Sequence, residues 1–188
     1  PAYRLPDEAL ARDVEYIRRA GVTIKTNCRV ESLQALRDAG FDAIFVAVGA
    51  QASHKLGVPG EDLHGVIDSL EFLRDVRAGR ITSLPGKTAV IGGGNAAIDA
   101  ARTALRLGAA RVTLLYRRGR DEMPAITEEI EEAHAEGVDM RMLLAPEAIE
   151  GDGRVSAVRC VEMELGPADE SGRRRPVPKP GSHVTVEA

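Results

Sequence analysis

Aromatic side chains are scarce in this 188-residue sequence, with three tyrosines, three phenylalanines and no tryptophan. That argues against proteins that read single-stranded nucleic acid by stacking bases on aromatic faces. There are two cysteines, Cys28 and Cys160, far apart in the chain and not in a C-x-x-C pair. This excludes a disulfide framework, a redox-active dithiol and a cysteine zinc site. Each cysteine therefore reads as a buried structural thiol, and the compartment as reducing and cytoplasmic. No apolar run approaches the ~20 residues of a membrane helix. The longest, residues 43–50, has the length of a strand. The first residues, Pro1-Ala2-Tyr3-Arg4, show neither the basic nor the apolar region of a signal peptide. His54, His64, His134 and His183 are scattered without metal-ligand spacing. G-x-S-x-G, G-x-x-x-x-G-K-[ST] and a Tyr-x-x-x-Lys pair are all absent. A net charge of −4 creates no field that favours nucleic acid or an anionic membrane.

What is present is an ordinary globular composition, 44% hydrophobic and 29% charged, in a length that suits one domain or one domain and part of another. Residues 7–20 carry Leu10, Val14 and Ile17 at helical spacing, followed by Gly21. Residues 22–27 alternate as a strand does, and 32–39 predict a short helix stopped by Gly40. Residues 42–49 are apolar on both faces and predict a buried strand of a parallel sheet, ending in Gly49. A glycine-rich connector over 50–68, a helix over 69–77 and a punctuated zone over 79–86 follow, which puts a domain boundary at 78/79.

Beyond that boundary the rhythm is β-α-β-α-β: strands over 87–91, 111–116 and 138–144, helices over 94–107 and 124–135. This predicts a parallel sheet with right-handed crossovers. Residues 155–165 and 183–187 predict an antiparallel excursion, with a mobile tip over 166–181 between them. The fold class is thus α/β, a Rossmann-like three-layer dinucleotide-binding domain over 79–188 with an antiparallel β excursion.

The chemistry lies in Val90-Ile91-Gly92-Gly93-Gly94-Asn95-Ala96-Ala97, a G-x-G-x-x-A pattern between a strand and a helix. Gly92 permits the tight turn, Gly94 lets a pyrophosphate approach the backbone, and Ala97 lets the helix pack close to the sheet. The amides at the helix start then face the phosphates. The competing explanation is a βα turn with no ligand. The next strand ends in Tyr116-Arg117-Arg118, with no acidic residue to bond the ribose hydroxyls of NAD. Two arginines there suit the 2′-phosphate of NADP; a solvated basic strand end is the alternative. Pro124 suits a first helical turn, and the acidic run around Glu128–Glu132 suits an exposed helix face.

Taken in order, Pro1-Ala2-Tyr3-Arg4-Leu5-Pro6, Val46-Ala47-Val48-Gly49-Ala50, Ile91-Gly92-Gly93-Gly94-Asn95, Asp99-Ala100-Ala101-Arg102, Tyr116-Arg117-Arg118, Glu122-Met123-Pro124-Ala125 and Glu164-Leu165-Gly166 through Pro178 form one series. The series resembles the small (beta) subunit of NADPH-dependent glutamate synthase. It also resembles that subunit's relatives, among them the electron-entry part of dihydropyrimidine dehydrogenase and other flavin-dependent NAD(P)H oxidoreductases, with adrenodoxin reductase more distant. The resemblance covers nearly the whole chain. It implies a split FAD domain with an NAD(P)H domain inserted into it, so that residues 1–78 would be a partial FAD-domain segment and connector. It implies NADP(H) as cofactor, FAD in the complete protein, and hydride transfer between them. The partner would be a larger subunit or an iron–sulfur electron carrier. The fingerprint glycines of an FAD domain are not in this sequence, which is expected to be an internal segment of a longer chain. Gly92, Gly93, Gly94, Asn95 and Ala97 would cradle the pyrophosphate, and Arg117 and Arg118 the 2′-phosphate. Glu129 would lie near the nicotinamide and Gly49 on the flavin side. No catalytic acid, base or nucleophile is implied. A non-catalytic, nucleotide-responsive interaction module that binds a partner through Arg173–Pro180 is the alternative function.

Overall fold

The computed structural model describes residues 1–168, 170 and 172–188. They divide into two units, Pro1–Ala52 and Ser53–Ala188.

In the first unit, α1 spans Asp7–Arg19 and α2 spans Leu33–Asp38. Asp7 and Glu8 open α1 while Arg18 and Arg19 close it, each charge complementing the nearer end of the helix dipole. The Ser32 hydroxyl accepts from the amide of Ala35 (3.1 Å) and caps α2. Neither expected strand forms: residues 22–27 and 42–49 pair with nothing, and none of the 52 residues is buried. Phe45 is 92% exposed. A strand exists only when its amides and carbonyls meet a neighbouring strand. Among the described residues of this unit there is no such neighbour, so an apolar run remains extended coil. Cys28 is exposed rather than buried, because this unit encloses no core to receive it.

The second unit begins with a connector that is fixed, not loose. The Glu61 carboxylate accepts from the amides of Leu56 (2.6 Å) and Gly57 (2.9 Å). The carbonyl of Pro59 accepts from Ile149 (2.8 Å). Helix α3, Ser69–Arg77, is capped by Asp68, whose Oδ1 accepts from Leu70 (2.9 Å) and Glu71 (3.1 Å). Its Phe72 enters the core with the helix that follows the glycine turn. The connector and α3 thus lie within the second unit.

Strands β1 (Lys87–Ile91), β2 (Arg111–Tyr116) and β3 (Asp139–Met142) form a parallel sheet in that order. Between them run α4 (Asn95–Arg106), a 3₁₀ turn (Arg120–Glu122) and α5 (Thr127–Ala135). Helix α5 starts at Thr127, so Pro124 precedes it instead of sitting in its first turn. Leu143, at φ +59, turns the chain out of β3 and into an antiparallel sheet of β4 (Leu144–Asp152), β5 (Arg154–Ala168) and β6 (Arg174–Glu187). Most of the expected mobile tip is therefore strand: Leu165 pairs with Pro176 and Met163 with Pro178. Residues 169 and 171 of that tip lie outside the described residues.

Alternation along β2 divides two hydrophobic clusters. Val112, Leu114 and Tyr116 pack with Ile98, Ala101 and Ile130 of the helices. Leu115, with Ala89 and Ile91, packs against Val158, Cys160 and Val186 of the antiparallel sheet. The period of two gives three layers: helices, parallel sheet, antiparallel sheet. Each fully buried branched side chain in these layers stabilises the unit by about 1.5–3 kcal/mol. Burial also pushes the Cys160 thiol up to about 11.

Candidate nucleotide-binding site

The chain leaves β1 through three glycines in three different situations. Gly92 has φ +139, closed to ordinary side chains, and donates to the carbonyl of Leu115 (3.0 Å). A Cβ on Gly92 would stand 3.1 Å from the Cβ of Ala97, so the small third residue of the pattern packs directly on the turn. A Cβ on Gly93 would fall 2.6 Å from the Tyr116 ring, which occupies the space beneath the turn. Gly94 differs from both. Its dihedrals, φ −92 and ψ 174, suit any residue, and an added Cβ would meet only Pro124 Cγ, at 3.9 Å. Packing within the chain requires glycine at 92 and 93 but not at 94.

Gly94 is also the N-cap of α4, and its carbonyl accepts from Ala97 (3.0 Å) and Ile98 (3.1 Å). The amides of Asn95 and Ala96 donate to no acceptor among the described residues. Unpaired donors at the positive end of a 12-residue helix, beside a position kept clear of side chain, are an arrangement that could hold an anion. These residues fit a phosphate-bearing group.

The two arginines after β2 occupy separate environments. Arg117 is exposed and makes no hydrogen bond or ion pair among the described residues. Arg118 is 7% exposed; its Nε donates to the carbonyl of Arg174 (2.9 Å), and its own carbonyl accepts from Leu143 (3.1 Å). Arg118 thus ties the end of β2 to the start of β6.

Residues 119–126 lie across the glycine turn and are laced to it. Tyr116 Oη donates to the carbonyl of Glu122 (2.7 Å), and the amide of Ala125 donates to the carbonyl of Gly93 (3.2 Å). The amide of Ile126 donates to Asn95 Oδ1 (3.0 Å). Met123 and Ala125 are buried in the helical cluster beneath. Glu129, on the first turn of α5, is half-buried and engaged within the chain. Gly49 lies in the first unit, exposed and at φ +72. Of the expected site residues, the structure gathers Gly92, Gly93, Gly94, Asn95 and Ala97 in one turn within the second unit. It places Arg117 and Arg118 at the end of the neighbouring strand.

Sequence reasoning missed two participants. Tyr116 is the ring under Gly93, and its signal was an aromatic residue at the end of the strand next to a glycine turn. The other is a charged brace between α4 and α5. Arg102, nearly buried, donates to Glu136 from Nη2 (2.7 Å) and pairs with Glu132 (2.8 Å), while Arg106 also holds Glu136 (2.7 Å). Hydrogen bonds from Arg106 and then Arg102 depress the Glu136 carboxyl from its ordinary 4.5 to about 2. Its signal was the i, i+4 spacing of Arg102 and Arg106 facing an acidic helix.

Among the described residues no helix is long and apolar enough to cross a membrane. The family model described as pyridine nucleotide-disulphide oxidoreductase matches residues 7–170. The chain is 49% identical over 192 residues to the NADP(+)-dependent formate dehydrogenase subunit beta of Moorella thermoacetica, covering 97% of this chain and 27% of that protein. It is 46% identical to the NADPH-Fe(3+) oxidoreductase subunit beta of Geobacter sulfurreducens, over 100% of this chain and 29% of the other. It is 36% identical to the glutamate synthase [NADPH] small chain of Escherichia coli, over 100% of this chain and 43% of the other. The chain thus spans 27% to 43% of the length of these relatives. Among solved structures, Mycobacterium tuberculosis FprA in complex with NADPH superposes with a TM-score of 0.65 at 23% identity, over 84% of this chain and 50% of that one. That likeness concerns the fold alone. With a family match over most of its length, and relatives of high identity over all of it, the chain belongs to the pyridine nucleotide-disulphide oxidoreductase family.

Proposed function

We propose that the second unit binds NADPH at the glycine turn, and that the whole protein is a flavin-dependent oxidoreductase that passes a hydride from NADPH to FAD. The observation that carries this reading is Gly94: a glycine that its own packing does not need, set beside unpaired amides of α4. The relatives whose names specify NADP(+) or NADPH support the nucleotide. In this reading the amides of Asn95 and Ala96 receive the pyrophosphate. Gly92, Gly93 and Ala97 shape the turn. Arg117, exposed and uncommitted, receives the 2′-phosphate, while Arg118 keeps the corner in place. Glu129 faces the nicotinamide side and Gly49 the flavin side, with residues 1–78 as flavin-domain segment and connector and 79–188 as the NAD(P)H domain. The hydride chemistry belongs to the two cofactors; the chain supplies position and electrostatics. A larger subunit or an iron–sulfur carrier takes the electrons onward, in line with relatives named as subunits and small chains. The absence of a disulfide framework suits a cytoplasmic location.

Calorimetric titration with NADPH and NADH tests the reading. Arg117→Ala is expected to weaken NADPH about 10- to 100-fold and NADH hardly at all; equal losses would sink the 2′-phosphate role. Gly94→Ser places a favoured N-cap residue in open space, so stability should change by less than about 0.5 kcal/mol. NADPH affinity should nevertheless fall at least about tenfold, as a side chain enters the phosphate approach. Unchanged affinity in that variant would remove the cradle.

A further inference from the structure

Asn95 stands first in α4, where pattern reasoning would make it one more wall of the phosphate cradle. Its geometry assigns it another task. The amide of Ile126 points at its side chain from 3.0 Å, so the atom facing that donor is the oxygen. Ile126 is the N-cap of α5, and with no side-chain oxygen it gives that helix no side-chain cap. One residue earlier, Ala125 donates to Gly93 (3.2 Å), and Tyr116 Oη holds Glu122 (2.7 Å). The segment 119–126 is therefore a strap over the glycine turn. Asn95 is its last fastening, the one that sets the start of α5 against the start of α4. The Arg102–Glu136–Arg106 brace holds the same two helices further along.

The choice of an amide side chain at position 95 is itself informative. Aspartate would accept from Ile126 equally well and would suit the helix dipole better. It would also put a carboxylate beside the unpaired amides that the phosphate needs. Asparagine is the side chain that fastens the strap without adding charge to an anion site. We propose that Asn95 is a positioning residue: through the amide of Ile126 it fixes the strap and the start of α5, and so keeps the nucleotide site open in its binding geometry. The inference rests on the NADPH reading for its purpose, but not for the fastening itself.

The test uses the full chain, with amide hydrogen exchange followed by NMR in the absence of nucleotide, and NADPH titration of the same samples. In Asn95→Ala, exchange at Ile126 and Ala125 should accelerate about tenfold or more while Leu114 is unaffected, and NADPH affinity should fall by about tenfold. In Asn95→Asp, protection at Ile126 should persist while NADPH affinity falls at least as far, through repulsion alone. Protection at Ile126 that survives Asn95→Ala would overturn the fastening. Lost protection with unchanged affinity would overturn its role in positioning, since a merely structural bond would move exchange and not binding. A wild-type chain that fails to bind NADPH would overturn the functional reading by itself and leave the exchange comparison to decide the strap.

Discussion

Residues 42–49 and residues 111–116 are both short apolar runs, and only the second is a strand. The first run, in the unit Pro1–Ala52, holds Phe45, Val46 and Val48, all well exposed. The second run lies between β1 and β3, with five of its six residues buried. Hydrophobic pattern states what a segment would gain by burial. Whether it is buried depends on neighbours that supply ladder partners and covering side chains. Chemistry follows the same division, because the glycine turn is held in shape by β2 beneath it.

The largest expected contrast tests this division directly. Leu114→Ala should cost about 3 kcal/mol, through lost transfer free energy and the cavity left between sheet and helices. Phe45→Ala should stay within about 0.5 kcal/mol, since that ring packs on nothing in its unit. Urea unfolding followed by circular dichroism measures both; similar losses in the two variants would break the comparison.

A middling effect concerns the brace between α4 and α5. Glu136→Gln should cost about 2 kcal/mol at neutral pH, because the nearly buried Arg102 loses the carboxylate charge it faces at Glu136. The carboxyl titrates in the folded state at about 2, below its ordinary 4.5. Its stabilisation is therefore complete above about pH 4.5 and disappears as the pH falls through about 2. The gap between wild type and variant should close over that window. A gap that stays constant down to pH 2 would show that the charge is not what the brace uses.

The gentlest probe is chemical. A thiol reagent at neutral pH should modify Cys28, which is exposed, and spare Cys160, whose thiol is buried and shifted up to about 11. Denaturant should release the second thiol. Equal labelling of both in the native chain would mean that the parallel sheet does not cover Cys160 on β5.

Much of the second unit was legible in the sequence. The bounds of α3, β1 and β2 follow from caps, punctuation and apolar period, signals that lie close together in the sequence. The glycine turn was legible for the same reason, as φ +139 at Gly92 admits no other residue. Three features were not. The prolines of β6 concealed a strand that pairing with β5 sustains. Arg118 looked equivalent to Arg117 until the carbonyl of Arg174 was found beside it. The bond from the Ile126 amide to the Asn95 side chain joins residues far apart in the chain, which no local pattern shows.

By itself, the sequence determined where this chain turns and which residues can begin a helix around an anion, since backbone conformation and capping depend on neighbours a few positions away. Only the tertiary structure decided which apolar runs become strands, which of two adjacent arginines stays exposed, and which glycine is clear of the chain's own packing. Those depend on atoms from distant segments that arrive in one place, and on the burial and hydrogen bonds that hold them there.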